Sequence, residues 1–188
     1  NAAREPEIAD LANFLCSCGA HISGADSGEI TVCGMKKLHS AEHTVIPDRI
    51  IASTYMAAAA VTGGDVRILD TRAEHITPVI PVFEQAGCKV DCGENSVHIS
   101  APVRLRSVQT VRTMPYPGFP TDSQAAVMAM LSVAHGTSVM IENIFENRYR
   151  HVRELCRLGA DIMTEGKVAV IKGVETLTGA CVCAAAVN

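Results

Sequence analysis

Pro115, Pro117 and Pro120 punctuate a stretch, Pro115-Tyr116-Pro117-Gly118-Phe119-Pro120-Thr121-Asp122-Ser123-Gln124, that runs straight into an Ala/Met/Leu-rich segment. The prolines fix φ and remove donors, so this stretch reads as a stiffened loop and not as a central strand. Thr121 or Asp122 is then a natural N-cap for the helix that follows. A carboxylate there meets unpaired N–H groups and the positive end of the helix dipole, which favours the anion and makes Asp122 a ready proton acceptor at an exposed edge. The plainer reading of the same residue is a helix cap with no chemistry.

A second polar constellation is Ile144-Phe145-Glu146-Asn147-Arg148. It joins a strand pattern to a helix pattern, and loops in such positions often carry binding residues on a rigid scaffold. Ile144 and Phe145 could equally cover apolar surface, and Arg148 could pair with Glu146. Glu5, Asp48 and Arg49 flank Pro47 on its two sides. Solvated surface charge, usually worth little, is the alternative to a role in a site for these three.

Other chemistries find no support. The Gly63-Gly64 and Gly118 glycines form neither a phosphate-binding loop nor a dinucleotide fingerprint. The 8 cysteines include the C-x-C pairs Cys16/Cys18 and Cys181/Cys183 but no C-x-x-C, so zinc-type spacing is missing and no metal is expected. Reduced thiols serving as small core residues are the expectation. The net charge of −4, with 16 basic and 20 acidic residues interspersed, argues against a nucleic-acid footprint. The longest apolar run, Met56 to Val61, is far too short to span a bilayer, so a soluble cytoplasmic protein is expected.

The elements that must position these residues come in repeats. Gly87 and Gly159 each close a helix pattern and precede a short strand pattern, 72 residues apart. Gly19 lies 68 residues before Gly87 and begins a third, truncated copy. Each copy reads as helix, strand, helix and two strands, an α/β (α+β) pattern. Helices are expected over 48–61 and 122–134, then 76–86 and 149–158. Strands are expected over 65–70 and 138–142, then 89–91 with 96–100 and 161–164 with 168–172. Met56, Met128 and Met130 fit core packing between helices. An isolated copy exposes an apolar sheet face, so copies must pack on one another. The boundary between the partial copy and the complete ones is expected near Ile46, before Pro47.

Together with Asn1-Ala2-Ala3-Arg4-Glu5-Pro6-Glu7, Pro47-Asp48-Arg49 and Ile144 to Arg148, the proline-rich stretch resembles the UDP-N-acetylglucosamine 1-carboxyvinyltransferases. These belong to the enolpyruvyl transferase family. The resemblance runs end to end but covers a central fragment of such an enzyme. It implies an inside-out α/β barrel of βαβαββ units, with residues 1–46 finishing one domain and 47–188 supplying two units of the other. It implies transfer of the enolpyruvyl group of phosphoenolpyruvate to the 3′-hydroxyl of UDP-N-acetylglucosamine, at the start of peptidoglycan synthesis, without a cofactor.

The same resemblance makes Asp122 the acceptor of the hydroxyl proton in a cleft between domains. It sets Thr121, Ile144 and Phe145 against the nucleotide sugar, and gives Glu5, Asp48, Arg49 and Arg148 supporting roles. The family's nucleophilic cysteine and its phosphoenolpyruvate clamp match nothing in this chain, so the fragment alone is expected to be inactive and to need the remainder of the enzyme. Ala184 to Asn188 depart from the family's usual Ala-Thr-Asp-Leu-Arg. The alternatives are a 3-phosphoshikimate 1-carboxyvinyltransferase and a non-catalytic sugar-nucleotide-binding module.

Overall fold

The structure, a computed structural model, describes residues 2–183. The departures read at Ala184 to Asn188 lie outside the described residues. The chain divides into two compact units, Asn1–Pro47 with Pro115–Pro117, and Asp48–Met114 with Gly118–Asn188.

The first unit holds helix α1 (Pro6–Ser17) and an antiparallel pair, β1 (His21–Ser23) and β2 (Thr31–Cys33). Pro6 occupies the first turn of α1, where a missing N–H costs nothing. The helix ends at Gly19, whose φ of 99° lies in the left-handed region that glycine adopts without a steric penalty. His43 sits against this helix, its Nε2 3.0 Å from Asp10 Oδ1 and its ring 5.4 Å from that of Phe14.

The second unit contains two copies of one motif. The first copy runs α2 (Arg49–Val61), β3 (Asp65–Leu69), α3 (Ala73–Ile76), α4 (Ile80–Gln85), β4 (Lys89–Cys92) and β5 (Ser96–Ser100). The second runs β6 (Thr110–Arg112), α5 (Gln124–Leu131), β7 (Thr137–Ile141), α6 (Val152–Arg157), β8 (Asp161–Glu165) and β9 (Val168–Lys172). The sheet of the first copy has order β3-β5-β4 and that of the second β6-β7-β9-β8. Residues 65, 89 and 96, which open β3, β4 and β5, stand 72 positions before 137, 161 and 168, which open β7, β8 and β9. The register read from two glycines therefore holds strand by strand.

Alternation decides which side of each sheet is buried. Val97 and Ile99 of β5, and Ala169 and Ile171 of β9, face inward while their neighbours do not. Helices α2 and α5 pack together, and Met56, Met128 and Met130 are fully enclosed beside Phe83, Ile99 and Ile171. Small alanines on α2 permit that close approach. The fold is thus mixed helix and sheet, α+β.

Several expectations need correction. The helix expected over 76–86 is two short helices, because Pro78 and Pro81 interrupt it; Pro81 is accommodated only as a first-turn residue of α4. The helix expected from 122 to 134 opens as a 3-10 turn, Thr121–Ser123, and α5 itself ends at Leu131. The helix expected over 149–158 likewise begins with a 3-10 turn, Arg148–His151. Strand β6 was not expected; it pairs in parallel with β7 and completes a βαβαββ unit.

The cysteines are not generally core residues. Cys18 and Cys88 are buried, the latter with its thiol pushed up to about 11 by burial, while the other six are exposed, and all eight are free. Cys16 and Cys156 lie at equivalent points of their copies and donate S–H to the carbonyls of Ile22 and Ile162.

Candidate functional site

In the second unit, the chain ahead of α5 is held where Thr113 meets Phe119. Thr113 and Phe119 form an isolated parallel bridge, and the Met114 N–H donates to the Phe119 carbonyl at 3.0 Å. The chain then enters the 3-10 turn Thr121–Ser123. Neither Thr121 nor Asp122 is a helix cap. The Ser123 N–H donates to the Pro120 carbonyl, and the Gln124 N–H to the Thr121 carbonyl, so the tighter turn satisfies these amides itself. Ser123, fully buried, is 2.7 Å from the Ser53 hydroxyl of α2, which pins the turn to the neighbouring helix.

With no capping duty, the two side chains diverge. Asp122 points outward, its side chain 56% exposed, and accepts from Arg148 Nη2 at 2.5 Å. The Arg148 guanidinium also lies 5.3 Å from the centre of the Phe145 ring, within cation–π range. Asp122, Phe145 and Arg148 are thereby brought together, with exposed Ile144 adjoining Phe145 in the chain. The alternative pairing of Arg148 with Glu146 is not the one adopted.

Thr121 turns inward and donates to Glu142 Oε2 at 2.9 Å. Glu142 is 1% exposed, and five donors converge on it. Oε1 accepts from Thr113 Oγ1 at 2.8 Å and from the main-chain amides of Ile144 and Phe145 at 2.8 and 3.1 Å. Oε2 accepts from Thr121 and from Gln124 Nε2 at 3.2 Å. Thr113 Oγ1 in turn accepts from the Asn143 N–H at 2.8 Å. The phenol of Tyr149, which bonds to the carbonyls of Met140 and Lys167, is pushed up to about 12 by burial and then by the nearby Glu142 charge.

Glu142 escaped the sequence reading, although a signal for it was available. Ser138 and Met140 are inward positions of β7, and the period of two puts Glu142 on their side. A charged residue at an inward position needs partners, and those partners come from three separate segments.

Asp48 caps α2, accepting from the amides of Ile50 and Ile51 at 2.7 and 3.0 Å. Arg49 is 8% exposed in the first turn of that helix. Glu5 precedes α1 without a side-chain capping bond. Among the described residues, no group of three or more His, Cys, Asp or Glu could hold a metal ion, and no helix is long and apolar enough to cross a membrane.

Comparison with known proteins agrees with this architecture. Two of the relatives are UDP-N-acetylglucosamine 1-carboxyvinyltransferases: that of Geotalea daltonii is 51% identical, and isoform 1 of Caldanaerobacter subterraneus subsp. tengcongensis 52%. Each comparison covers 96% of this chain, and the chain spans 43% of the relatives' length. Among solved structures, the enolpyruvyl transferase NikO from Streptomyces tendae superposes with a TM-score of 0.76 at 26% identity, over 90% of this chain and 40% of its own. The EPSP synthase from Acinetobacter baumannii shares the fold, with a TM-score of 0.63 at 22% identity over 87% of this chain and 40% of its own. The sequence profile of one family matches residues 1–186. The chain therefore belongs to the EPSP synthase (3-phosphoshikimate 1-carboxyvinyltransferase) family.

Proposed function

We propose that this chain is the central part of a UDP-N-acetylglucosamine 1-carboxyvinyltransferase, a cytoplasmic enzyme that uses phosphoenolpyruvate and no cofactor. The reaction joins the sugar 3′-oxygen to C2 of phosphoenolpyruvate while C3 takes up a proton. Loss of phosphate, with a proton from C3, then restores the double bond. Asp122 accepts the hydroxyl proton in the first step, and Thr121, Ile144 and Phe145 border the nucleotide sugar. The remainder of the enzyme supplies the groups that hold phosphoenolpyruvate. Glu5, Asp48 and Arg49 have supporting roles at most, Asp48 chiefly through its helix.

The observation that carries this reading is the placement of Asp122. Its carboxylate is exposed, fixed by a turn that Ser53 and Glu142 hold from below, and beside the Ile144–Phe145 loop. Its partner Arg148 is itself partly exposed, and an ion pair in that setting is weak enough for a substrate hydroxyl to displace. Identities near 50% to the nucleotide-sugar enzymes, against 22% to the EPSP synthase, favour the nucleotide sugar over 3-phosphoshikimate as acceptor.

In the complete enzyme carrying this segment, Asp122→Ala should lower turnover about 10²–10⁴-fold, the usual contribution of a positioned general base. Its melting temperature should change little, because Asp122 caps nothing. Turnover equal to the parent would sink the assignment.

A further inference from the structure

We propose that Glu142 is a positioning residue: its buried carboxylate locks the Thr121–Asp122 turn and the Ile144–Phe145 turn into one rigid arrangement. The consequence for turnover rests on the role given to Asp122 above; the mechanical coupling does not.

The donor set carries the inference. Of the five groups on Glu142, the amides of Ile144 and Phe145 and Gln124 Nε2 can only donate, so they match an acceptor-only carboxylate. Among the described residues, no lysine or arginine bonds to this carboxylate. The negative charge is held by dipoles alone, and such charge-assisted bonds are short and directional. An apolar residue in this inward place just past the end of β7 would escape the desolvation cost of a buried charge but would strand the five donors. The carboxylate instead supplies what an apolar side chain lacks: two oxygens that bind different segments at once. Oε2 holds the start of α5, and Oε1 holds the backbone immediately after β7. Asp122 follows the first anchor by one residue, and Ile144 and Phe145 are themselves the second. A shift of Glu142 must therefore move both turns.

Gln124 bears on the choice of variant. Its Oε1 is buried without a hydrogen-bond partner. In Glu142→Gln, a flip of the Gln124 amide would present that oxygen to the new NH₂, leaving three acceptor contacts at the other oxygen intact. The conservative variant should consequently keep the geometry while losing the charge.

The test uses the complete enzyme carrying this segment and compares amide exchange at Ile144 and Phe145 with steady-state kinetics. Thr121→Val removes one anchor on the far turn. If the two turns are coupled, it should speed exchange at Ile144 and Phe145 about tenfold, the loss of one charge-assisted bond. Exchange unchanged at both amides would overturn the coupling, whatever the enzyme's substrate proves to be.

Glu142→Ala should lower kcat about 10²-fold per folded molecule and raise the KM for UDP-N-acetylglucosamine, as expected when reacting groups are misplaced by an ångström. Glu142→Gln should restore both to within about tenfold. Normal kcat and KM in folded Glu142→Ala would reduce the residue to a structural one. If Glu142→Ala fails to fold, the exchange result in Thr121→Val and the kinetics of Glu142→Gln decide. Glu142→Gln that folds but is as impaired as Asp122→Ala would overturn the geometric role in favour of a role for the charge itself. Tight coupling in an enzyme that ignores UDP-N-acetylglucosamine would instead remove the substrate assignment and leave the coupling standing.

Discussion

Thr113 offers a perturbation whose sign separates hydrogen bonding from packing. It is fully buried; its hydroxyl donates to Glu142 and accepts from the Asn143 amide, both at 2.8 Å. Thr113→Val keeps the shape and replaces the hydroxyl with a methyl group. Losing a hydrogen bond to a charged acceptor costs about 1.5–3 kcal/mol, and stranding the Asn143 N–H costs about 1–3 kcal/mol, toward the low end because Asn143 is near solvent. The added methyl returns about 0.8 kcal/mol. The net expectation is a loss of about 2–4 kcal/mol. Thr113→Ser keeps both bonds and removes one buried methyl, for a loss of about 1 kcal/mol. The expected order of stability is thus Thr, then Ser, then Val, whereas packing alone would put Val first and Ser last. Urea unfolding gives the order, and native-state amide exchange in β7 reports the second unit separately, since a chain of two units need not melt as one. A Val variant as stable as the Ser variant would refute the hydrogen-bond account of this cluster.

Other perturbations follow from single contacts. Asp48→Ala removes two capping bonds from α2 and should cost about 1 kcal/mol, lowering Tm by about 2–4 °C in a calorimetric scan. Gly173→Ala would put its Cβ 1.6 Å from the Ala134 carbonyl oxygen, backbone against backbone, and should destabilise by about 3 kcal/mol or more; near-normal Tm would show that this segment yields. His151 is held below its ordinary 6.5, first by burial, against a raising bond to the Arg148 backbone and with the Arg148 charge lowering it further. Because the unfolded chain takes up the proton first, the stability from neutral His151 is present above pH 6.5 and is lost as pH falls through the folded value. Unfolding free energy should decline below pH 6.5, and His151→Gln should flatten that decline.

Much of the scaffold was legible because it is written twice. Gly87 and Gly159 are helix stops under any tertiary arrangement, since their φ values of 99° and 95° suit glycine and few other residues. Strands β5 and β9 were bounded correctly because alternation and flanking turns agree there. The helix over 76–86 was misread because its apolar spacing outweighed Pro78 and Pro81. Strand β6 is short, and its partner lies far along the chain, so nothing local announces it.

Asp122 and Arg148 stood out in the sequence as candidates because they are chemically distinctive, but their pairing with each other did not. The site was illegible where the chemistry is shared. Thr121 looked like a cap because it precedes an Ala/Met/Leu-rich run, and nothing local points to Glu142, which takes its hydroxyl.

Residues 70 and 142 occupy the same step of the two copies, and the difference between them is instructive. The Glu142 N–H donates to the Lys167 carbonyl, and the chain leaves β7 at once into its anchored turn. In the earlier copy the matching bond, to Asn95, comes one residue late, from Thr71, after Asp70 has passed through φ 52°. The molecule thus contains its own control: a twin backbone shows what this exit does when no inward carboxylate ties it down. Grafting and swapping between the twins would ask how few side chains separate a free exit from an anchored one.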